Sequence, residues 1–144
     1  MFFTYFCKME RLRQLLTGLP PFMFSVLTLL AILWLTLAPQ PLGENPPQLF
    51  PGADKVAHAL MFGGLAIMLL LDWQRKHGWQ MTAWLILFSF CMLSFICGVA
   101  IEFAQLSMNL GRGFETGDIL ADGAGCVGAG LFWLICQERW AQFR

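Results

Sequence analysis

Charge is scarce in this chain. Asp, Glu, Lys and Arg make up 12% of its 144 residues, with nine acidic side chains against nine basic ones. Soluble domains carry about 25% charge. There is no basic block or tail, which excludes the clustered footprint of a nucleic-acid binder. The five cysteines, Cys7, Cys91, Cys97, Cys126 and Cys136, form no CxxC pair. That excludes a zinc knuckle and gives no disulfide framework. The four that fall in apolar runs read as small packing residues. Neither HExxH nor GxSxG occurs, so neither the zinc-protease nor the hydrolase signature is present.

What the chain has instead is apolar surface. Hydrophobic residues reach 58% and aromatics 15%, and the mean hydropathy is +0.63. The excess lies in long uncharged runs, the mark of a membrane protein. Four runs are expected to be helices crossing the bilayer, at about 22–38, 54–71, 83–102 and 118–136. The second and fourth approach the roughly 20 residues needed only when their polar first turns are counted. Pro20-Pro21 precedes the first run and Pro39 follows it; five of the seven prolines fall within 39–53, which reads as a loop. Residues 72–80 read as a short polar turn and 106–117 as a second long loop. Residues 1–21 read either as an amphipathic helix in the headgroup layer, with Met9, Leu12, Leu16 and Leu19 at helical spacing, or as a mobile tail. Residues 137–144 form a charged tail. The expected fold is therefore all-α, an integral membrane four-helix bundle.

Orientation follows from lysine and arginine in the flanks. Lys8, Arg11, Arg13, Arg75, Lys76, Arg139 and Arg144 flank one side, and only Lys55 and Arg112 the other. Both termini are thus expected to be cytoplasmic. The proline loop and the 106–117 loop then face outward.

That topology brings three separate pieces of sequence to one membrane level. Asp54, Lys55 and His58 open the second helix, Glu102 and Gln105 close the third, and Asp118 and Asp122 open the fourth, with Arg112 and Glu115 in the loop between. An ionisable group at such depth faces the bundle interior or a wet cavity. Asp54 with His58, and Asp118 with Asp122, are each one helical turn apart. Ser94, Gly98, Glu102 and Gln105 share one face of the third helix. Ala121, Gly125 and Ala129 form one small-residue stripe on the fourth, and Ala124 with Gly128 a second, both expected to let helices pack closely. Residues 54–64 and 118–128 also share a faint echo, Asp, then Ala, then a polar residue, then Gly; a parallel duplication of two hairpins would give it, and chance in an Ala- and Gly-rich sequence is the favoured account.

Two accounts of the charges compete. In the structural one, Arg112 neutralises Glu115 or Asp118, Lys55 pairs with Glu102, and the acidic first turn of the fourth helix complements its dipole. It leaves a surplus, because five carboxylates face two permanent cations and one histidine. The surplus calls for added protons or an added cationic group. No metal site and no cofactor are expected, since only one histidine lies at this level and His77 sits in the opposite turn.

Asp54-Lys55-x-x-His58 with Phe62 and Gly63, followed by Glu102-x-x-Gln105, Arg112, Asp118 and the run through Gly125 and Gly128, resembles the VanZ-like family. The resemblance covers about residues 50–130. One departure is Asp122, where such proteins often carry asparagine. The resemblance implies a small integral membrane protein of the bacterial envelope, in the inner membrane. The family is named after a protein associated with teicoplanin resistance, and no reaction is carried over from it.

The expected function is binding of an envelope lipid or lipid-linked cell-wall precursor in an outward polar pocket. Lys55 and Arg112 would meet anionic groups, and His58, Glu102 and Gln105 would shape the pocket. One alternative is a membrane enzyme acting on a lipid-linked phosphate or ester. There His58 would be the general acid or base, oriented by Asp54, Glu102 or Asp122, with Arg112 stabilising developing charge. Another is a structural subunit of a membrane complex. The topology is tested by reporters fused after Gln48, Lys76 and Leu110: the first and third are expected outside and the second inside, and any other pattern dissolves the shared level.

Overall fold

A computed structural model describes residues 18–38, 50–77, 82–108 and 115–142. They form four helices, α1 Met23–Leu37, α2 Ala53–His77, α3 Trp84–Met108 and α4 Thr116–Gln142. No strand occurs among the described residues. The N-terminal segment before Gly18 and Arg112 lie outside them.

Three helices are long and apolar enough to cross a membrane: Ala53–His77, Trp84–Met108 and, within α4, Thr116–Gln137. At 1.5 Å per residue, the 15 residues of α1 cover about 22 Å, short of the roughly 30 Å hydrocarbon core. The first expected span is therefore a shorter apolar helix. Residues 72–77, expected as a polar turn, continue α2 as helix, and α3 runs on to Met108. Both extensions have local causes. Asp72 and Arg75, one turn apart, pair along α2, and the Ser107 hydroxyl donates back to the Ala104 carbonyl.

The ends of the elements follow from the sequence. Ala38 precedes Pro39, which disfavours helical backbone at that residue; Ala38 is extended, with ψ 140°. Gly52 takes φ +84°, a left-handed turn suited to glycine. It leads straight into α2, whose first turn carries Asp54. Asp118 does the same for α4, and carboxylates there complement the helix dipole.

The distribution of polarity is inverted. Leu60, Trp84, Leu85 and Leu120 are more than 70% exposed, while Asp72, Glu102 and Asp122 are at most 2% exposed. Lipid-facing leucines cost nothing in a bilayer, whereas a charge must turn inward. The middle of the bundle is apolar. Ile32, Phe62, Leu65, Leu69, Ile101 and Cys126 form one cluster, and Leu70, Leu87 and Trp133 a second.

The most extensive helix pair is α2 with α4. The two run parallel, and residues 64 apart in sequence meet. His58 bonds Asp122, and the Cys126 thiol lies 3.8 Å from the Phe62 carbonyl. The faint echo between 54–64 and 118–128 thus falls on positions that face each other. Two glycines set the approach. A Cβ on Gly63 would stand 2.7 Å from the Gly125 carbonyl oxygen, and one on Gly125 would run into the Ala59 backbone. Ala129, from the same stripe, is buried and Ala121 is half-buried. Gly128 corrects the second expected stripe: it is exposed, and a Cβ there would meet nothing within 4 Å.

Gly125→Ala is accordingly expected to lower stability by about 1–3 kcal/mol through overpacking. Gly128→Ala should raise it slightly, on the order of 0.5–1 kcal/mol from helix propensity. Thermal melts of both variants in the same detergent compare the two. Equal effects would mean that the α2–α4 contact is not set at Gly125.

Candidate functional site

Both ends of the bundle carry buried polar groups, and the two differ in how completely these are satisfied. At the end where α2 and α3 approach each other along the chain, every such group has partners. Asp72 accepts from the Ser25 amide at 2.9 Å and hydroxyl at 2.7 Å and pairs with Arg75. The Arg75 guanidinium also donates to the Leu19 carbonyl and lies over the Phe24 ring. Alongside, the Thr82 hydroxyl receives Gln74 and the Trp133 indole N–H, and the Thr82 amide donates to Gln137. These networks tie α1 to α2 and α2 to α3 and α4. The polar side chains in them were not singled out from sequence as a buried network. The Asp72–Arg75 spacing at the close of an apolar run was the available signal.

The other end gathers the residues expected to form a site. His58 stands on the first turns of α2, Glu102 near the end of α3 and Asp122 nearly two turns into α4. His58 Nδ1 is 3.1 Å from Asp122 Oδ1 and 3.9 Å from Glu102 Oε1. Glu102 is 1% exposed and Asp122 fully buried. The row read from sequence on α3 faces inward throughout, with Ser94, Glu102 and Gln105 all buried. Ser94 donates to the Phe62 carbonyl at 2.6 Å. Gly98 leaves the space that the Asp122 carboxylate occupies, since a Cβ there would collide with it. Gln105 donates to the Thr36 carbonyl at 2.9 Å, so it ties α3 to α1 rather than lining the cluster by its amide nitrogen.

Above this layer lies an exposed one. Lys55 Nζ is 2.8 Å from Glu115, 3.0 Å from Asp54 and 3.5 Å from Asp118. Lys55 therefore pairs with these three carboxylates and not with Glu102, as the structural account from sequence had it. Its ammonium clamps α2 to the start of α4. Glu102 instead accepts a long bond, 3.4 Å, from the Glu115 amide. Asp54, one turn from His58, turns to Lys55 and is exposed.

Satisfaction is incomplete here. Among the described residues, the buried side-chain oxygens without a hydrogen-bond partner are Glu102 Oε1, Asp118 Oδ1 and Asp122 Oδ2. Asp118 Oδ1 has only the 3.5 Å ion pair with Lys55. A buried acceptor left without a donor costs about 1–3 kcal/mol, and more when charged. All three fall in one cluster, at the end opposite the satisfied networks.

The role of Asp122 can be separated from its charge. Asp122→Asn keeps an oxygen for the His58 N–H, whereas Asp122→Ala removes it and strands the imidazole. The alanine variant is expected to be less stable than the asparagine variant by about 1–3 kcal/mol, measured by thermal melting in detergent. Equal losses would show that the charge, and not the acceptor, holds His58.

A family model described as VanZ/LLP1 matches residues 3–137. No curated protein and no solved structure matches the chain. The match covers the first three helices and α4 as far as Gln137, so His58, Glu102, Asp118 and Asp122 lie within it: the chain belongs to the VanZ/LLP1 family.

Proposed function

We propose that this chain is a multi-pass protein of the bacterial cytoplasmic membrane, with both termini inside. Its polar site opens outward and binds an envelope lipid or a lipid-linked cell-wall precursor. The observation that supports this most is the asymmetry between the two ends of the bundle. Polar groups retained only to hold helices together are paired, as Asp72, Arg75, Thr82 and Gln137 are. Carboxylate oxygens buried without donors are stable only if something else meets them.

A second feature suits a lipid. An apolar groove of about 370 Å³ runs between α3 and α4, from Gly123, next to Asp122, to Trp84 and Leu134. An acyl chain along it would bring its headgroup to the level of the cluster. The part given to Lys55 changes: an ammonium already shared by three carboxylates makes a poor docking point for an anion. Arg112, the other cation assigned to the pocket, is outside the described residues.

One observation favours a second reading, an integral membrane enzyme on a lipid-linked phosphate or ester. Asp122 at 3.1 Å orients His58, as a third group orients a base in acid–base and nucleophilic sites. The two readings part on a single comparison. Wild-type protein extracted with its lipids is expected to carry an envelope lipid enriched over bulk membrane by mass spectrometry. His58→Ala is expected to lose that enrichment if the site binds, and to keep it while losing turnover if the site is catalytic. A wild-type lipid profile identical to bulk membrane would sink the binding reading.

A further inference from the structure

We propose that His58, Glu102 and Asp118 form a binding site for a divalent cation, Mn²⁺ or Zn²⁺, with Asp122 positioning the histidine. Each of the three offers one ligand atom, and these atoms all lie within 4.8 Å of one another. Four-coordinate ligands at about 2.1 Å from a metal stand about 3.4 Å apart, so closing on an ion takes roughly 1 Å of side-chain movement. Glu102 Oε1 and Asp118 Oδ1 are two of the three buried oxygens without a hydrogen-bond donor. The Glu102 side chain is 1% exposed and the Asp118 side chain 12%. The third such oxygen belongs to Asp122, whose other oxygen holds His58 Nδ1 at 3.1 Å. With Nδ1 given to Asp122, Nε2 is the ring nitrogen left to an ion, and a carboxylate behind an imidazole is the usual outer partner of a metal-bound histidine, fixing its tautomer and its orientation.

Charge points the same way. Among the described residues, five carboxylates at this end face Lys55 and His58, and Lys55 already serves Asp54, Glu115 and Asp118. The buried layer therefore holds more negative charge than it has cations to match. A second acidic group, Asp54, Glu115 and Asp118, also has ligand-like spacing, but Lys55 stands among its oxygens and two of its members are exposed. The ligand set decides the class of ion. One imidazole with carboxylates suits Mn²⁺ and Zn²⁺ better than a soft ion, which would want thiolate, or Ca²⁺, which takes oxygen alone. Counting histidines had set a metal aside, yet one histidine with two carboxylates makes three protein ligands. Three leave further positions for oxygen donors. A lipid phosphate is one such donor, a role that rests on the lipid binding proposed above.

The experiment uses the full chain in detergent, stripped with chelator and then titrated with Mn²⁺, read by the electron paramagnetic resonance of the free ion, and with Zn²⁺, read by equilibrium dialysis. Wild type is expected to bind one equivalent and to melt at a higher temperature when loaded. Ser107→Ala, at an exposed position near the end of α3, should bind as wild type does. Glu102→Gln and Asp118→Asn should bind at least 100-fold more weakly, and Asp122→Asn about 10–100-fold more weakly, as outer partners of metal ligands do. Both ligand variants remove surplus negative charge, so their metal-free forms should melt at or above metal-free wild type, which separates loss of the site from loss of the fold. Failure of wild type to bind either ion, or undiminished binding by folded Glu102→Gln and Asp118→Asn, would overturn the proposal. Cation binding with no lipid enriched upholds the site and defeats only the lipid reading.

Discussion

The contact on which the rest of this bundle depends is a backbone one. Gly125 of α4 sits against the Ala59 carbonyl of α2, and Gly63 sits against the Gly125 carbonyl, with no room for a side chain at either glycine. Parallel helices held this closely have little freedom to rotate or slide. Their register therefore carries over to the turns on either side. One turn toward the start of both helices, His58 meets Asp122; one turn deeper than His58, the Phe62 carbonyl gathers the Ser94 hydroxyl and the Cys126 thiol. A third glycine, Gly98, brings α3 into the same arrangement by leaving space for the Asp122 carboxylate. In a bilayer, where apolar side chains gain little by leaving lipid for one another, such close packing is a main source of helix association.

Energetically the two polar ends are opposites. Asp72 is buried at a cost, but Ser25 and Arg75 answer its oxygens, and Arg75 has the Leu19 carbonyl and the Phe24 ring besides. A network closed in this way defines the position of α1, which by its length alone is the least able of the four to span a membrane. The Glu102, Asp118 and Asp122 end is left open, with acceptors facing acceptors. An incompletely satisfied buried network is worse for stability than an apolar one. Its persistence in a chain with so little charge therefore fits a site that receives something from outside the fold.

Lys55 shows how the outer layer limits what that something can be. It draws the exposed Asp54 and Glu115 and the largely buried Asp118 together, and so blunts the field an approaching anion would otherwise meet. It does not reach Glu102. The exposed pairs contribute little individually, since water screens them. Beneath them the buried carboxylates lack that screening, so a cation or proton gained there counts for more.

Much of this was legible in the sequence. Scarce charge, long apolar runs and the placing of polar residues at their ends determined a helical membrane protein with a shared polar level. The four-residue steps from Ser94 to Glu102 determined an inward face, because periodicity along one helix reports both depth and side. The limits of the reading lay where a residue's fate depends on another helix. Asp72–His77 looked like a turn because much of its polarity is met by Ser25, Leu19 and Thr82, which are distant in sequence. Gly128 looked like a packing residue, but the rotation of α4, set at Gly125, turns it outward. That Lys55 takes Glu115 and not Glu102, and that three carboxylate oxygens are left without donors, was decided by tertiary structure alone. Pairing depends on how helices are rotated about their axes, and that rotation is set by backbone contact between them.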